Sequence, residues 1–347
     1  LNNDQADSKK SYTTTNIETE LLEDDLKVHY NVVSIGDLAA DVALKIPHFP
    51  ITAEEIQIIH DVNLEAGGAG NFLITASRLG LHAIALGAVG AADFFGPALL
   101  KILMMENVDT HHVIRQSEGN TTTVFVIIDE KGQHTFLGQY GNGQEIQYSR
   151  EWDEVIHQAD WVQTWGYGLK EKATSRAMLT AMKTAKEQNI PVCFDVGPHL
   201  SDLTQQQWQE LISAATVVML TESEIPDFMK HYNNWRDAEN FLSLGAHWVC
   251  VKRGSDGCIL ISNQGSEEIA GFPATFRNST GAGDAFAAGF AYAILHGAEP
   301  QQAASFANLV GAVKIQKVGS GRNMPTKEEI FEFMEKNNLH FSFISTT

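Results

Sequence analysis

Short apolar runs alternate along this chain with longer segments whose apolar positions recur every three or four residues. Residues 31–35 read as a buried strand ending at Gly36, and residues 71–79 as a helix stopped at Gly80. A strand over 83–89 and a helix over 94–105 repeat the pattern. Further on come a helix over 174–188, a strand over 191–195, a helix over 204–214 and a strand over 216–220. A helix after Glu222, another over 235–244 and a strand over 247–252 complete the series. Brief apolar strands separated by amphipathic helices predict βα units, hence a mainly parallel sheet with helices on both faces.

Two stretches depart from this rhythm. Residues 121–129 and 133–138 flank Glu130-Lys131-Gly132 and predict a hairpin. Residues 43–66 carry strand-like alternation through Ile56, Ile58, Ile59, Val62 and Leu64. Together they predict a small β appendage, with strands from about 43–66 and 110–140. Long apolar helices are expected over 281–296 and 300–316, and Thr326 and Glu329 have the capping-box spacing that opens a last one. Residues 1–29 are polar, Thr-rich and acidic and predict a tail, leaving one α/β domain over 30–340.

The 347 residues are 44% apolar, enough for a sizeable core, and carry a formal net charge of −19. That balance argues against a nucleic-acid footprint and against anionic membrane surfaces. It does not argue against a phosphorylated ligand, which backbone amides can hold locally. Cys193, Cys250 and Cys258 form no CxxC pair and read as buried core thiols, which suits a reducing compartment. The first residues lack a basic stretch followed by an apolar one, so no signal peptide is expected, and the run 285–295 is too short to span a bilayer. A cytoplasmic protein is expected. No GxxxxGK[ST], GxGxxG or HExxH string occurs, which argues against Walker-type ATPases, dehydrogenases and zinc proteases.

The strongest chemical signal is Asn278-Ser279-Thr280-Gly281-Ala282-Gly283-Asp284-Ala285-Phe286, running directly into an apolar helix. Gly281 and Gly283 let the backbone turn sharply and approach a ligand. The first amides of a helix lack intrahelical partners and point outward with the helix dipole behind them. Amides of Ala282, Gly283 and Asp284 therefore predict an anion cradle. Asp284, on the first turn beside it, can take a proton from an attacking hydroxyl while the amides hold a phosphoryl group. The competing reading is an aspartate that only caps its helix.

The nine-residue string resembles the second signature of the PfkB, or ribokinase-like, carbohydrate kinases, D-T-x-G-A-G-D-x-F. Gly67-Gly68-Ala69-Gly70-Asn71 resembles the family's G-G-x-x-x-N with one residue fewer before the Asn. Gly36-Asp37-Leu38-Ala39-Ala40-Asp41 resembles its G-x-x-x-x-D opening, and residues 87–96 its G-x-V-G-x-D-x-x-G, with Asp93 read as a helix cap. Thr221-Glu222-Ser223-Glu224 stands where the family has N-x-x-E, and residues 251–257 match its strand and turn beneath the nucleotide.

The resemblance implies a three-layer α/β/α sandwich with a small β-sheet lid. It also implies transfer of a phosphoryl group from Mg·ATP to a hydroxyl on a sugar-like acceptor. Asp284 with Gly281, Ala282 and Gly283 would form the catalytic centre, and Asp41, Gly67, Gly68 and Asn71, with Asp37 beside them, would bind the acceptor. Lys252, Gly254, Gly257, Thr280 and Asn308 take the nucleotide positions, and Glu224 the magnesium position. Asn278 replaces the opening Asp that the family ties to a monovalent cation, which leaves a need for that ion open. A lid of this kind often pairs between subunits, so a homodimer is expected. A nucleoside acceptor, or a catalytically weak binding regulator, are the other readings; Phe49, Phe125, Phe136, Trp165 and Tyr167 near the expected lid keep the first open.

Overall fold

Successive residues of the central strands face two different cores, and this alternation builds the fold. Val32, Trp161, Cys193, Val217 and Cys250 enter one cluster. Their neighbours Val33, Val162, Phe194, Val218 and Val249 enter the other. A strand whose two faces are both buried needs a helical layer on each side. The structure, a computed structural model, describes residues 29–36, 38–59, 61–139, 146–197 and 203–344. Most of the expected tail and Asp37 lie outside the described residues.

In chain order the strands are β1 (Asn31–Ile35), β2 (Leu38–Lys45), β3 (Asp61–Gly68), β4 (His82–Leu86), β5 (Ala88–Gly90), β6 (Ile114–Gln116), β7 (Thr123–Ile128), β8 (His134–Gln139), β9 (Trp161–Trp165), β10 (Val192–Asp195), β11 (Val217–Thr221), β12 (Trp248–Lys252), β13 (Cys258–Ser262) and β14 (Gly265–Ile269). The helices are α1 (Ala69–Leu79), α2 (Phe95–Met105), α3 (Glu151–His157), α4 (Lys172–Glu187), α5 (Gln205–Ala214), α6 (Asn240–Ser243), α7 (Ala282–Leu295), α8 (Pro300–Lys314) and α9 (Lys327–Lys336). The main sheet runs β14-β13-β12-β11-β10-β9-β1-β4. Its strands from β12 to β4 are parallel, and β13 and β14 close one edge antiparallel. Helices α1, α2, α7, α8 and α9 contribute to the first core, and α3 to α6 to the second.

A separate four-stranded sheet, β3-β2-β7-β8, forms the appendage. β7 and β8 are the expected hairpin, with Ile128 opposite His134. β6 pairs with β5 instead, outside this sheet.

Four expected elements differ. The strand expected over 83–89 divides at Gly87 into β4 and β5, which join different sheets. The alternation over 46–59 forms no strand, and Ile56 is 92% exposed. Pro47 and Pro50 fall within that stretch and lack the amide a ladder needs. The expected helix after Glu222 is two single 3-10 turns, Glu222–Glu224 and Asp227–Met229. Pro226 forces Ile225 into an extended conformation between them (φ −65°, ψ 125°). The stretch 235–244 is a 3-10 turn, Trp235–Glu239, followed by the short α6. Strand β9, helix α3 and the β13–β14 hairpin were not expected. In β9 the buried polar residues Gln163 and Thr164 interrupt the apolar run that marks a central strand. Among the described residues no helix is long and apolar enough to cross a membrane.

Candidate active site

Because β1 and β9 to β12 are parallel, their carboxyl ends share one edge, where open α/β sheets place their ligands. At the end of β10 stands Asp195, and at the end of β12 Lys252. Lys252 Nζ donates to Asp195 Oδ2 at 2.6 Å. Between them, Glu224 accepts from the Thr221 amide at 2.6 Å. Burial holds the Glu224 carboxyl above its ordinary value, against the attraction of Lys252.

The start of α7 closes this edge. Gly281 takes the left-handed conformation (φ 77°), and a Cβ there would stand 2.9 Å from Met324 Sδ. Asn278 Oδ1 accepts the Thr280 amide at 3.1 Å, and Ala282 N donates to Ser279 O at 3.0 Å. The expected cradle is thus narrower, because the Ala282 amide is spent on closing the turn. Among the described residues the amides of Gly283 and Asp284 find no backbone acceptor. A Cβ on Gly283 would lie 3.4 Å from Lys252 Nζ, so the ammonium stands beside these two donors. Two amides, a lysine and a helix dipole suit a multiply charged anion.

Asp284 lies in the first turn of α7 and accepts from Asn71 Nδ2 at 2.8 Å. Burial pushes its carboxyl up to about 7, with the charges of Asp195 and Asp41 adding to the shift and Asn71 and Lys252 opposing it. A carboxylate so placed is a base near neutral pH.

The appendage reaches the same place. Asp41 of β2 is 7% exposed and is pushed up to about 6, mainly by burial. It pairs across the sheet with Glu65 of β3 and accepts from Ser320 Oγ at 2.6 Å. Its carboxylate lies over Gly67, where a Cβ would stand 2.1 Å from Oδ1. Asn71, 3% exposed, accepts the Gly321 amide at 2.8 Å through Oδ1. Glu65 accepts from the Arg322 amide at 2.9 Å and from its guanidinium Nη2 at 2.8 Å.

Residues 320–322 therefore join Asp41, Asn71 and Glu65 at once. Their segment is held from below: Arg78 donates to Arg322 O at 3.1 Å and Lys317 to Met324 O at 3.1 Å.

Of the expected site residues, Asp41, Gly67, Gly68, Asn71, Gly281, Gly283, Asp284, Lys252 and Glu224 meet around this edge. Thr280 lies on the turn leading into α7. Gly254 has open space around its Cβ position, whereas a Cβ on Gly257 would collide with the Ile269 carbonyl oxygen. Asn308 is buried, and its amide nitrogen donates to Ile269 O at 3.1 Å and Ala270 O at 3.2 Å. That amide is used to fasten the end of β14. Trp165 is buried, with its indole N–H on Ser34 Oγ at 3.1 Å, while Tyr167 is 46% exposed.

Sequence reasoning missed Asp195, Glu65, Ser320 and Arg322. An acid at the end of a predicted strand was the available signal for Asp195; nothing marked the others. Among the described residues no three His, Cys, Asp or Glu side chains cluster as a metal site. Asp195 and Glu224 alone suit an ion carried mainly by phosphate oxygens and water.

A pfkB family carbohydrate kinase model matches residues 30–327. An uncharacterized sugar kinase of Archaeoglobus fulgidus is 30% identical over 72% of this chain and 97% of its own length. An ATP-dependent ribose-1-phosphate kinase of Halopiger xanaduensis is 27% identical over 88% of this chain and 98% of its own. Among solved structures, Arabidopsis thaliana ribokinase complexed with ribose and ATP superposes with a TM-score of 0.76, at 21% identity, covering 89% of this chain and 99% of that one.

Proposed function

The chain belongs to the pfkB family of carbohydrate kinases, and we propose that it phosphorylates a sugar hydroxyl with Asp284 as the base. It is an ATP-dependent sugar kinase of the ribokinase fold. The observation that carries the residue assignment is the placement of Asp284. It stands in the first turn of α7, beside the Lys252 ammonium and two amides that find no backbone acceptor among the described residues, and is held by Asn71.

In this reading the acceptor lies between Asp41, the Gly67–Gly68 turn and Asn71. A carboxylate can accept two hydrogen bonds from a vicinal diol, which suits Asp41 to a sugar. The acceptor oxygen attacks the γ-phosphorus in line, its proton passes to Asp284, and the bond to the β-γ bridging oxygen breaks to release ADP. The amides of Gly283 and Asp284 and the Lys252 ammonium offset charge growing on the transferring group. Such a reaction asks the protein for position and charge stabilisation more than for covalent work. Magnesium would be held, through the nucleotide and water, by Glu224 and Asp195, and would supply further neutralisation of the phosphates.

The lid sheet supports a homodimer. Ile56, Ile58, Val62, Phe136 and Leu137 expose apolar surface on and beside it, the kind of patch that marks an interface. Light scattering coupled to size exclusion tests this, and a monomer at working concentration contradicts it. Three buried, unpaired cysteines support a reducing compartment, hence the cytoplasm.

ADP release measured across a panel of free sugars, sugar phosphates and nucleosides tests the function. A sugar or sugar phosphate is expected to give the highest kcat/KM. A nucleoside preference would instead favour the half-exposed Tyr167 as a stacking surface. Nucleotide binding without turnover on any acceptor would leave a regulator.

A further inference from the structure

Lys314, in the last turn of α8, is 0% exposed. The only hydrogen bond its ammonium makes among the described residues is a long one, 3.5 Å, to Lys317 O. An ammonium has three donors, and burying one underused is costly. Its surroundings explain its placement. Gly311, one turn earlier on the same face of α8, packs against α7, where a Cβ would lie 3.7 Å from Ala282 O. The next carbonyl along, Ile315 O, accepts the amides of Arg277 at 2.8 Å and Asn278 at 3.2 Å. Lys314 therefore sits where the end of α8 backs onto the 278–284 turn.

The charged groups facing it are Lys317, which opposes its protonation, and Asp284, which favours it. Asp284 is faced in turn by Asp195, Asp41 and Lys252.

We propose that Lys314 is a positioning residue for phosphoryl transfer, a built-in cation beneath the Asn278–Asp284 turn that fixes the anion cradle and balances Asp284. It touches neither substrate, being sealed from solvent, and acts through the turn above it. Burial and Lys317 lower its pKa only to about 8, so the ammonium form prevails at neutral pH. The inference rests on the kinase reading above.

The test compares wild type with Lys314→Met, which keeps the unbranched stem of the side chain and removes the charged end, and with Lys314→Ala. Lys314→Met is expected to lower kcat by about 10- to 100-fold, as small displacements of catalytic groups do, with KM for sugar and ATP unchanged. Its kcat–pH profile is expected to show the acid limb moved to higher pH, because Asp284 loses a nearby positive charge. Lys314→Ala is expected to regain activity in ammonium or potassium chloride, but not in tetramethylammonium chloride at equal ionic strength, since the bulky ion cannot enter the vacated space. If Lys314→Met does not fold, the cation rescue of Lys314→Ala decides alone. Unchanged kcat and pH profile in a folded Lys314→Met, or an Lys314→Ala defect indifferent to the cation, would overturn the inference and leave a packing role. An active wild type with such variants sinks this inference alone. A wild type inactive on every acceptor sinks the kinase reading as well.

Discussion

Asn71 holds Asp284 with one end of its amide and the Gly321 backbone with the other, at 2.8 Å in both cases. One buried side chain thus sets the orientation of the proposed base against the segment that also fixes Asp41 and Glu65. Asn71→Ala removes both contacts and leaves a buried amide without its acceptor. It is expected to lower kcat by about 10- to 100-fold and stability by about 1–3 kcal/mol. Steady-state kinetics and urea unfolding check the two parts. Asn71→Asp brings a second carboxylate against Asp284 and is expected to move the acid limb of the kcat–pH profile upward.

Gly67 owes its identity to Asp41. A methyl group at position 67 would meet the Asp41 carboxylate at 2.1 Å, and the side chain that must yield is the one proposed to grip the acceptor. Gly67→Ala is expected to raise KM for the sugar by at least about 10-fold, the equivalent of one lost charge-assisted hydrogen bond, with KM for ATP unchanged. Equal changes in both constants would contradict the division of the site.

Asp284 rises to about 7 and Asp41 to about 6, both chiefly through burial. If Asp284 must be ionised to act, kcat is expected to fall below about pH 7. The linked stability has the opposite sign. A raised carboxyl favours the protonated fold, so its contribution is full below the ordinary aspartate value of 3.8 and is lost as pH rises through about 7. Wild type is therefore expected to lose stability relative to Asp284→Asn across that interval. Thermal unfolding of the two proteins at about pH 5 and about pH 8 reads this out.

Glu65 is buried and Arg322 half-exposed, and they meet through the guanidinium and the backbone. Arg322→Met strands a buried carboxylate and is expected to cost about 1–3 kcal/mol, tempered by the exposure of the arginine. Adding Glu65→Gln is expected to recover part of that loss. A double-mutant cycle with no coupling would contradict the clasp.

The chemistry of the site was legible where it is continuous along the chain. The string from Asn278 to Phe286 carries turn, amides and acid within a few residues, and Asn71 lies directly after a glycine pair. What escaped was assembled by folding. Ser320 and Arg322 meet Asp41 and Glu65 across more than 250 residues of chain, and no local pattern distinguishes them from an ordinary polar loop. Two expected site residues read differently through hydrogen bonds invisible in sequence: Ala282 spends its backbone amide on Ser279, and Asn308 spends its side-chain amide on the unexpected β14 hairpin. For the fold, period and punctuation sufficed for most βα units. They failed at 46–59 and after Glu222, where prolines overrode an apolar pattern, and at β9, whose buried Gln163 and Thr164 hid a central strand.

The claim on which the account turns is that Asp284 accepts the proton of the attacking hydroxyl. Asp284→Asn keeps the size of the side chain and an acceptor for Asn71, and removes only the base. Measured with the best acceptor, its kcat is expected to fall on the order of 10²–10⁴ while ATP still binds with wild-type affinity. Turnover near that of wild type would contradict the account.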